Sequence, residues 1–256
     1  TAYELGVRLV GSEMCIRDSL IADQGAEGMR RQVVIPRVRR TVLDRPPPTS
    51  TTEAPWTAPP SLTPWTTPND SFYRIDTALV VPKVDSESWS LRVDGMVERA
   101  VEITLDDLLA MNVVDSAVTL ACVSNEIGGS LVGNAVWTGV PLVDVLELAG
   151  PTESAEQVMA WSVDSFSAGF PLSALDGDRT ALVAFGMNGE PLPFRHGFPA
   201  RLVVAGLYGY ISAVKWLERI ELTTSEAAGY WIPRGWAKEA PIKIASRIAV
   251  PSGHQA

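Results

Sequence analysis

The sequence predicts an α+β fold in which mixed β-sheets dominate and the helices are short. Brief runs of β-branched and aromatic residues, at 89–95, 117–121 and 157–163, are typical of strands. Only short helical patterns lie between them, and the regular strand–helix alternation that indicates a parallel α/β sheet is missing. The chain has 256 residues, 46% of them hydrophobic, and is therefore long enough to bury a sizeable core.

Local signals place the individual elements along the chain. Thr104 is predicted to cap a helix over 105–111, because two aspartates follow it in the first turn. Pro141 suits the first position of a second helix, and Gly150 is expected to end it. The other local signals predict a strand over 201–205 and tight turns at Asp176-Gly177 and Asn188-Gly189.

Composition divides the chain into three parts. Residues 1–19 match neither a signal peptide nor the sequence that follows, and we expect them to be non-native. Residues 20–68 contain six arginines and then eight prolines from Pro46 onward, which predicts an extended, weakly ordered linker arm. The compact domain is expected to span 69–256.

Charge and residue counts exclude several classes of function. The 30 acidic residues exceed the 21 basic ones, and a net charge of −9 disfavours binding to nucleic acid. Two cysteines and two histidines, scattered along the chain, cannot form a structural zinc site. The longest apolar-leaning run, 202–214, is too short to cross a membrane. Phosphate-loop, dinucleotide-binding, HExxH and GxSxG motifs are also missing from the sequence.

One cysteine lies in a loop rich in glycine. Cys122 follows the predicted strand over 117–121, at a position where the backbone can approach a ligand closely. A thiolate there could act as a nucleophile or as a metal ligand. The alternative, favoured by spacing alone, is a free cysteine that only packs in the interior.

Two further patches contain candidate binding residues. The segment 196–201 ends in an arginine, and Lys215 follows it, so the pair could bind a phosphate. The alternatives are a solvated surface cluster or ion pairs with Glu218 and Asp178. The segment 69–74 is either a third binding patch or a turn that leads into an edge strand.

In this order, the three patches resemble the sulfite-oxidase-like molybdenum enzymes. The motifs that carry the resemblance are Asn69–Arg74, Cys122-x-x-Asn125, Gly133–Val140, Met187–Pro193, His196–Arg201 and Val214–Trp216. Together they cover about 69–251. The resemblance implies a pyranopterin (molybdopterin) cofactor, molybdenum held by one cysteine thiolate, and oxygen-atom transfer on a small substrate.

The resemblance also implies a role for individual residues. Cys122 would be the protein ligand of molybdenum, and Arg74 would be a second catalytic residue near the metal. The implied cofactor-binding residues are Asn69, Phe72, Tyr73, Ser162, His196, Arg201, Val214 and Lys215. Two other functions stay open: a non-catalytic module that keeps the fold, and a hydrolase that uses His196 with a nearby serine.

Two departures from the resemblance concern the substrate. Sulfite oxidases carry an arginine five residues after the ligand cysteine, and Ile127 stands there in this chain. Phe166 stands where those enzymes carry an active-site tyrosine. Because a doubly charged oxyanion needs cations around it, these departures predict a substrate other than sulfite, either a neutral or a smaller oxo donor or acceptor.

The resemblance extends to the surroundings of the domain. It implies an immunoglobulin-like dimerisation domain after residue 256, so we expect a fragment of a homodimeric protein. The linker arm is similar to one in an actinobacterial-type branch, where it joins a membrane region to the molybdenum domain. We therefore expect a membrane-associated, extracytoplasmic location, although arginines beside a membrane span favour the cytoplasmic side. An electron-transfer partner is also expected, and two histidines so placed cannot bind a heme.

Overall fold

The structure is a computed structural model that describes residues 28, 30, 32–36, 38, 40–41, 64–177 and 179–246. In chain order its strands are β1 (Arg40–Thr41), β2 (Ser90–Gly95), β3 (Val101–Thr104), β4 (Val114–Ala121), β5 (Val132–Pro141), β6 (Gln157–Ser162), β7 (Ser167–Pro171), β8 (Ala181–Met187), β9 (Glu190–Pro191), β10 (Arg201–Val204) and β11 (Leu217–Thr223). The α-helices are α1 (Leu105–Ala110), α2 (Leu142–Glu147) and α3 (Gly209–Ser212), and 3-10 helices lie at Leu172–Leu175, Phe194–His196 and Ile232–Arg234.

Two mixed sheets confirm the predicted α+β class. The first sheet has the strand order β1-β4-β5-β8-β10, with β9 paired to β8. The second has the order β3-β2-β11-β6-β7. Each sheet contains one parallel pair, β1 with β4 and β2 with β11, among antiparallel neighbours. The predicted segments 201–205 and 157–163 form β10 and β6, each of which ends one residue earlier than predicted.

The first sheet lies between two hydrophobic clusters. Strand β8 shows this best, because Val183 and Phe185 point into one cluster while Leu182 and Ala184 point into the other. All seven residues of β8 are buried. The larger cluster also takes in the second sheet, α1 and α2. A sheet that is covered on both faces gives rigid strand ends on which loops can present functional groups.

The predicted turn and cap signals act as expected, with small shifts in position. The Thr104 side chain accepts a hydrogen bond from the Asp107 backbone, and the Asp107 carboxylate accepts one in return, forming a capping box. Pro141 is the residue before α2 rather than its first helical residue. Asn188 and Gly189 have φ values of 53° and 82°, which suit the tight turn between β8 and β9.

The described part of the predicted linker arm lies against the domain. Strand β1 pairs with β4, and Val33, Ile35 and Val38 pack on the larger cluster. Most of 20–63 lies outside the described residues, so the linker arm over 20–68 stays a prediction. The expected non-native segment 1–19 lies outside the described residues. Within the described residues, no helix is long and apolar enough to cross a membrane.

Candidate active site

The Cys122 thiol lies directly after β4, in a loop that the backbone closes at both ends. The Cys122 backbone N–H donates to Leu131 O at 2.9 Å, and its carbonyl accepts from Asn125 N at 3.0 Å. The cysteine is partly exposed and is not in a disulfide. A thiol at this position is accessible to a ligand, unlike a cysteine that only fills space in the core.

The Asn125 side chain holds this loop together. Its Oδ1 accepts a hydrogen bond from Leu131 N at 2.7 Å, so it joins the two ends of the loop beside Cys122. We expect Asn125→Leu to destabilise the fold by about 1 kcal/mol, the usual value of one such hydrogen bond. Asn125→Asp, which keeps the acceptor, should cost less. Chemical denaturation of both variants measures the difference, and equal losses would show that the hydrogen bond is not the cause.

The Arg201 guanidinium is a buried positive charge that has no acidic partner among the described residues. Arg201 is the first residue of β10 and only 4% exposed, so the surface cluster considered from the sequence is wrong. Its Nη1 donates to His196 O at 2.9 Å, while its Nε has no hydrogen-bond partner among the described residues. The guanidinium lies 4.9 Å from the centre of the Trp137 ring. Burial lowers the pKa of Arg201 to about 10.

An anionic ligand would explain the Arg201 environment. A buried cation without an acidic partner is costly, and none of the described ion pairs involves this arginine. A phosphate group would accept hydrogen bonds from the free guanidinium face and neutralise its charge. The site therefore fits a phosphate-bearing cofactor.

His196 is a neutral, buried histidine that anchors the segment at Asn69. Its Nε2 donates to Asn69 O at 3.0 Å, since a carbonyl can only accept. The Asn69 side chain is held by the turn after β8, where its Oδ1 accepts from Asn188 Nδ2 at 2.8 Å. Burial, with a further contribution from the Arg201 charge, lowers the pKa of His196 to about 3.

The low pKa of His196 predicts acid sensitivity. The unfolded histidine takes up a proton below about pH 6.5, whereas the folded one does not until about pH 3. The unfolded state is therefore favoured as the pH falls, by up to about 1.4 kcal/mol per pH unit. We expect the free energy of unfolding to fall between pH 6.5 and 4.5, and this loss to be smaller in His196→Gln. Denaturant titrations across that range measure both slopes, and identical slopes would contradict the assignment.

Tyr73 has a buried hydroxyl. Burial raises the pKa of this hydroxyl; the Arg201 charge acts in the opposite direction and the Cys122 charge in the same direction. The neighbouring Phe72 ring is buried, stacks on Tyr73 at 5.3 Å and packs edge-on against Trp137. Gly133 permits this packing, because a Cβ there would come within 2.6 Å of the Phe72 ring.

Lys215 and Arg74 meet at one carboxylate. Asp76 Oδ2 accepts from Lys215 Nζ at 2.6 Å and from Arg74 Nε at 2.7 Å. The predicted alternative partners of Lys215 were Glu218 and Asp178; the structure places Asp76 there instead, and residue 178 lies outside the described residues. Burial lowers the pKa of Lys215 to about 8, although the Asp76 charge acts in the opposite direction.

Gly197 lies between Lys215 and Arg201, the two residues that we call the cation cluster. Gly197 has a φ of 110°, and a Cβ there would lie 3.0 Å from the Lys215 backbone and 3.1 Å from Arg201 Cβ. Only a residue without a side chain fits between the two cations in this conformation. Gly197 therefore allows the backbone of Lys215 and the Cβ of Arg201 to lie close together.

The other predicted site residues have buried side chains. Val214 packs in the larger cluster, and its carbonyl accepts from Leu202 N. Ser162 is buried, and its Oγ accepts from Asp164 N in the turn after β6. Three of the predicted site residues have side chains that pack in the core or support a turn: Phe72, Val214 and Ser162. Any contact of these residues with a cofactor would have to involve their backbone atoms or the ring edge of Phe72.

A cavity of about 350 Å³ opens beside Asn69, and Cys122 is not among its lining residues. Its lining includes Asp70 and Glu190, together with Asn188 and Thr66. Two carboxylates make it unsuitable for an anion, so the cation cluster is the better candidate for the cofactor phosphate. Within the described residues, no group of three or more His, Cys, Asp or Glu side chains could hold a metal ion.

Sequence reasoning missed two residues of the site. Asp76 follows Arg74 by two positions in an extended segment, which is a spacing that places two side chains on one side. Trp137 belongs to the Gly133–Val140 motif of the resemblance, but the sequence did not indicate that its ring forms the apolar surface under Arg201. Its role depends on how β5 packs near β10, and that is a long-range contact.

The comparisons with known proteins agree with this geometry. Residues 78–231 match the family described as oxidoreductase molybdopterin binding domain. The chain is 31% identical over 237 residues to mitochondrial sulfite oxidase of Rattus norvegicus, a match that covers 83% of this chain and 41% of that protein. It is 34% identical to the uncharacterized oxidoreductase YuiH of Bacillus subtilis, over 65% of this chain and 81% of YuiH.

A solved structure is also similar. The sulfane dehydrogenase SoxCD of Paracoccus pantotrophus matches with a TM-score of 0.58 and 27% identity, over 65% of this chain and 46% of that one. The fold and the site, with one accessible thiol and a buried cation cluster, define a molybdopterin-binding oxidoreductase domain. The chain belongs to the oxidoreductase molybdopterin binding domain family, and its cofactor is molybdenum-molybdopterin. It spans less than half the length of the sulfite oxidase that it matches.

The hydrolase considered from the sequence is wrong. His196 Nε2 is occupied by Asn69 O, and a pKa of about 3 makes this imidazole a poor base near neutral pH. Among the described residues, the hydrogen-bond partner of His196 Nε2 is a backbone carbonyl rather than a serine hydroxyl. His196 instead presents its backbone carbonyl to Arg201, which makes it part of the anion site.

Proposed function

We propose that this domain catalyses oxygen-atom transfer on a small neutral substrate, such as a sulfoxide or an N-oxide, rather than on sulfite. The observation that carries the proposal is the pairing of Arg74 with Asp76. The guanidinium donates to both carboxylate oxygens, at 2.7 and 3.3 Å, so the hydrogen-bonding fork that would bind an anionic substrate is already occupied. A neutral substrate needs no such cation.

The apolar residues around the site support the same substrate class. Ile127, in the loop that carries Cys122, is 78% exposed and supplies no charge. Phe166 packs against Tyr230 at 5.8 Å and has no hydroxyl with which to bind an oxyanion. The relatives' names do not decide the substrate, since one names sulfite and another names a sulfane.

Individual residues of the chain would bind the metal, bind the cofactor phosphate and position a hydrogen-bond donor. Cys122 binds the metal through a soft anionic sulfur, and Arg201 and Lys215 hold the cofactor phosphate. His196 and Asn69 fix the segment that carries Tyr73 beside the metal site. Because burial raises the pKa of Tyr73, its hydroxyl stays protonated and can donate a hydrogen bond to a substrate oxygen. When bound, the molybdenum cofactor supplies the two-electron redox chemistry.

A substrate screen on molybdenum-loaded protein tests the proposal. Reduction of a sulfoxide breaks the S–O bond, takes up two electrons and two protons, and releases a sulfide and water, with a reduced dye as the electron donor. We expect kcat/KM for a neutral sulfoxide or N-oxide to exceed that for sulfite oxidation by about tenfold or more, as expected when one charged contact is lost. Sulfite oxidation as efficient as that of a sulfite oxidase would overturn the proposal.

The surroundings of the domain belong to the same proposal. An electron-transfer protein would replace the dye in the cell, and the resemblance supports a homodimer and a membrane-associated, extracytoplasmic location. Fractionation of the native host, combined with protease accessibility on intact cells, would test the location. Recovery of the protein only from the cytoplasm would contradict it.

A further inference from the structure

Asp76 is the central residue of the Arg74–Asp76–Lys215 cluster. Its side chain is only 6% exposed, and it accepts hydrogen bonds from both cations. Although burial raises the pKa of Asp76, the hydrogen bonds from Arg74 and Lys215 hold that pKa below its usual range. The carboxylate is therefore ionised at neutral pH, and the cluster carries one net positive charge rather than two.

The two cations of the cluster differ in what else they can do. Lys215 is almost fully buried, donates also to Ile75 O at 3.1 Å and lies next to Arg201 across Gly197. It is therefore the interior cation of the cluster, with its ammonium held by Asp76 and Ile75 O. Arg74 is about one third exposed and is the cation of the cluster with access to solvent. If Asp76 were uncharged, Arg74 would present a free guanidinium to solutes that enter the site.

We propose that Asp76 determines substrate specificity by occupying Arg74, so that the site rejects doubly charged oxyanions. The inference rests on the proposed function, because it explains how the same site disfavours sulfite. Two features support it. Arg74 uses Nε and Nη2 on the carboxylate, which is the fork geometry that would otherwise bind an oxyanion. The carboxylate also adds a negative charge that repels a second anion at close range.

Sulfate binding provides a test that does not depend on turnover. The probe is inorganic sulfate, titrated by calorimetry into molybdenum-loaded wild-type protein and into Asp76→Asn at one low ionic strength. We expect Asp76→Asn to bind sulfate about tenfold or more tightly, as a newly available charge-assisted hydrogen bond would allow. The double variant Asp76→Asn with Arg74→Gln should return to the wild-type affinity, because the gain comes from Arg74.

Asp106→Asn is the matched control. Asp106 is exposed in the first turn of α1, and none of the described ion pairs involves it. This variant removes the same charge from the protein without freeing an arginine, so its sulfate affinity should equal that of wild type. Equal tightening in Asp76→Asn and Asp106→Asn would mean that net charge alone is responsible and would overturn the proposal.

A second variant protects the test against loss of folding. Arg74→Gln alone should change sulfate affinity less than about twofold, because Asp76 already occupies this cation. A tenfold loss of affinity in Arg74→Gln would show that Arg74 is available to anions and would overturn the proposal. The proposal also fails if loaded, folded Asp76→Asn binds sulfate no better than wild type. A wild-type enzyme that oxidises sulfite efficiently would reject the proposed function, whereas these affinity differences decide the role of Asp76 separately.

Discussion

Replacing Cys122 with serine is expected to remove molybdenum from the protein while the fold persists. The described hydrogen bonds of Cys122 come from its backbone, and serine can keep them. A serine hydroxyl cannot supply the soft anionic ligand that a thiolate supplies. Loss of a direct ligand should reduce activity by more than the roughly 10–100-fold that outer-shell changes cause. Metal analysis per chain and the melting temperature of the apo protein measure the two parts of this prediction.

Cys15 offers the control for this experiment. It is the other cysteine of the chain and lies outside the described residues. Cys15→Ser should leave the molybdenum content unchanged. A Cys122→Ser protein that retains one molybdenum per chain and full turnover would contradict the assignment of Cys122 as the metal ligand.

Replacing Arg201 with methionine is expected to have opposite effects on the apo and the loaded protein. In the apo protein, methionine removes a buried, unpaired charge and keeps an apolar chain against Trp137, so stability should stay equal or rise. In the loaded protein, the loss of charge-assisted hydrogen bonds to the phosphate should speed cofactor release about 10–100-fold. Thermal melting of the apo protein and the time course of molybdenum loss after gel filtration measure the two effects.

Arg195 is a suitable control because it is an exposed arginine on the neighbouring 3-10 helix. Arg195→Met should change neither apo stability nor cofactor release by much, as is usual for an exposed charge. If Arg201→Met instead unfolds the apo protein and leaves cofactor release unchanged, Arg201 is a structural residue and the anion site must lie elsewhere.

Local chemistry explains why much of the fold could be predicted from the sequence. The Thr104 capping box and the Asn188-Gly189 turn depend on residues that are neighbours in the chain. Their positions were therefore predicted to within a residue or two. The pairing of β1 with β4 was not predicted, because a two-residue strand in an arginine-rich segment carries no local signal.

In the candidate site, too, residue types could be predicted from the sequence, whereas long-range contacts could not. Cys122, Arg201 and Lys215 stand out in the sequence because a thiol and cations in ordered motifs suit one type of cofactor chemistry. Their distances and burial could not be predicted, and the burial of Arg201 overturned the surface-cluster alternative. The partner of Lys215 was also assigned to the wrong part of the chain, since Asp76 lies 139 residues away from it.

The amino-acid sequence by itself determined the fold class, the single thiol suited to a metal and the cations suited to a phosphate, because each depends on residue type and local spacing. Only the tertiary structure decided which of these charges are free. Arg201 is left without a carboxylate, whereas Arg74 is paired with Asp76. The strength of a charge depends on its burial and on its neighbours, and both are set by packing between segments that are far apart in the chain.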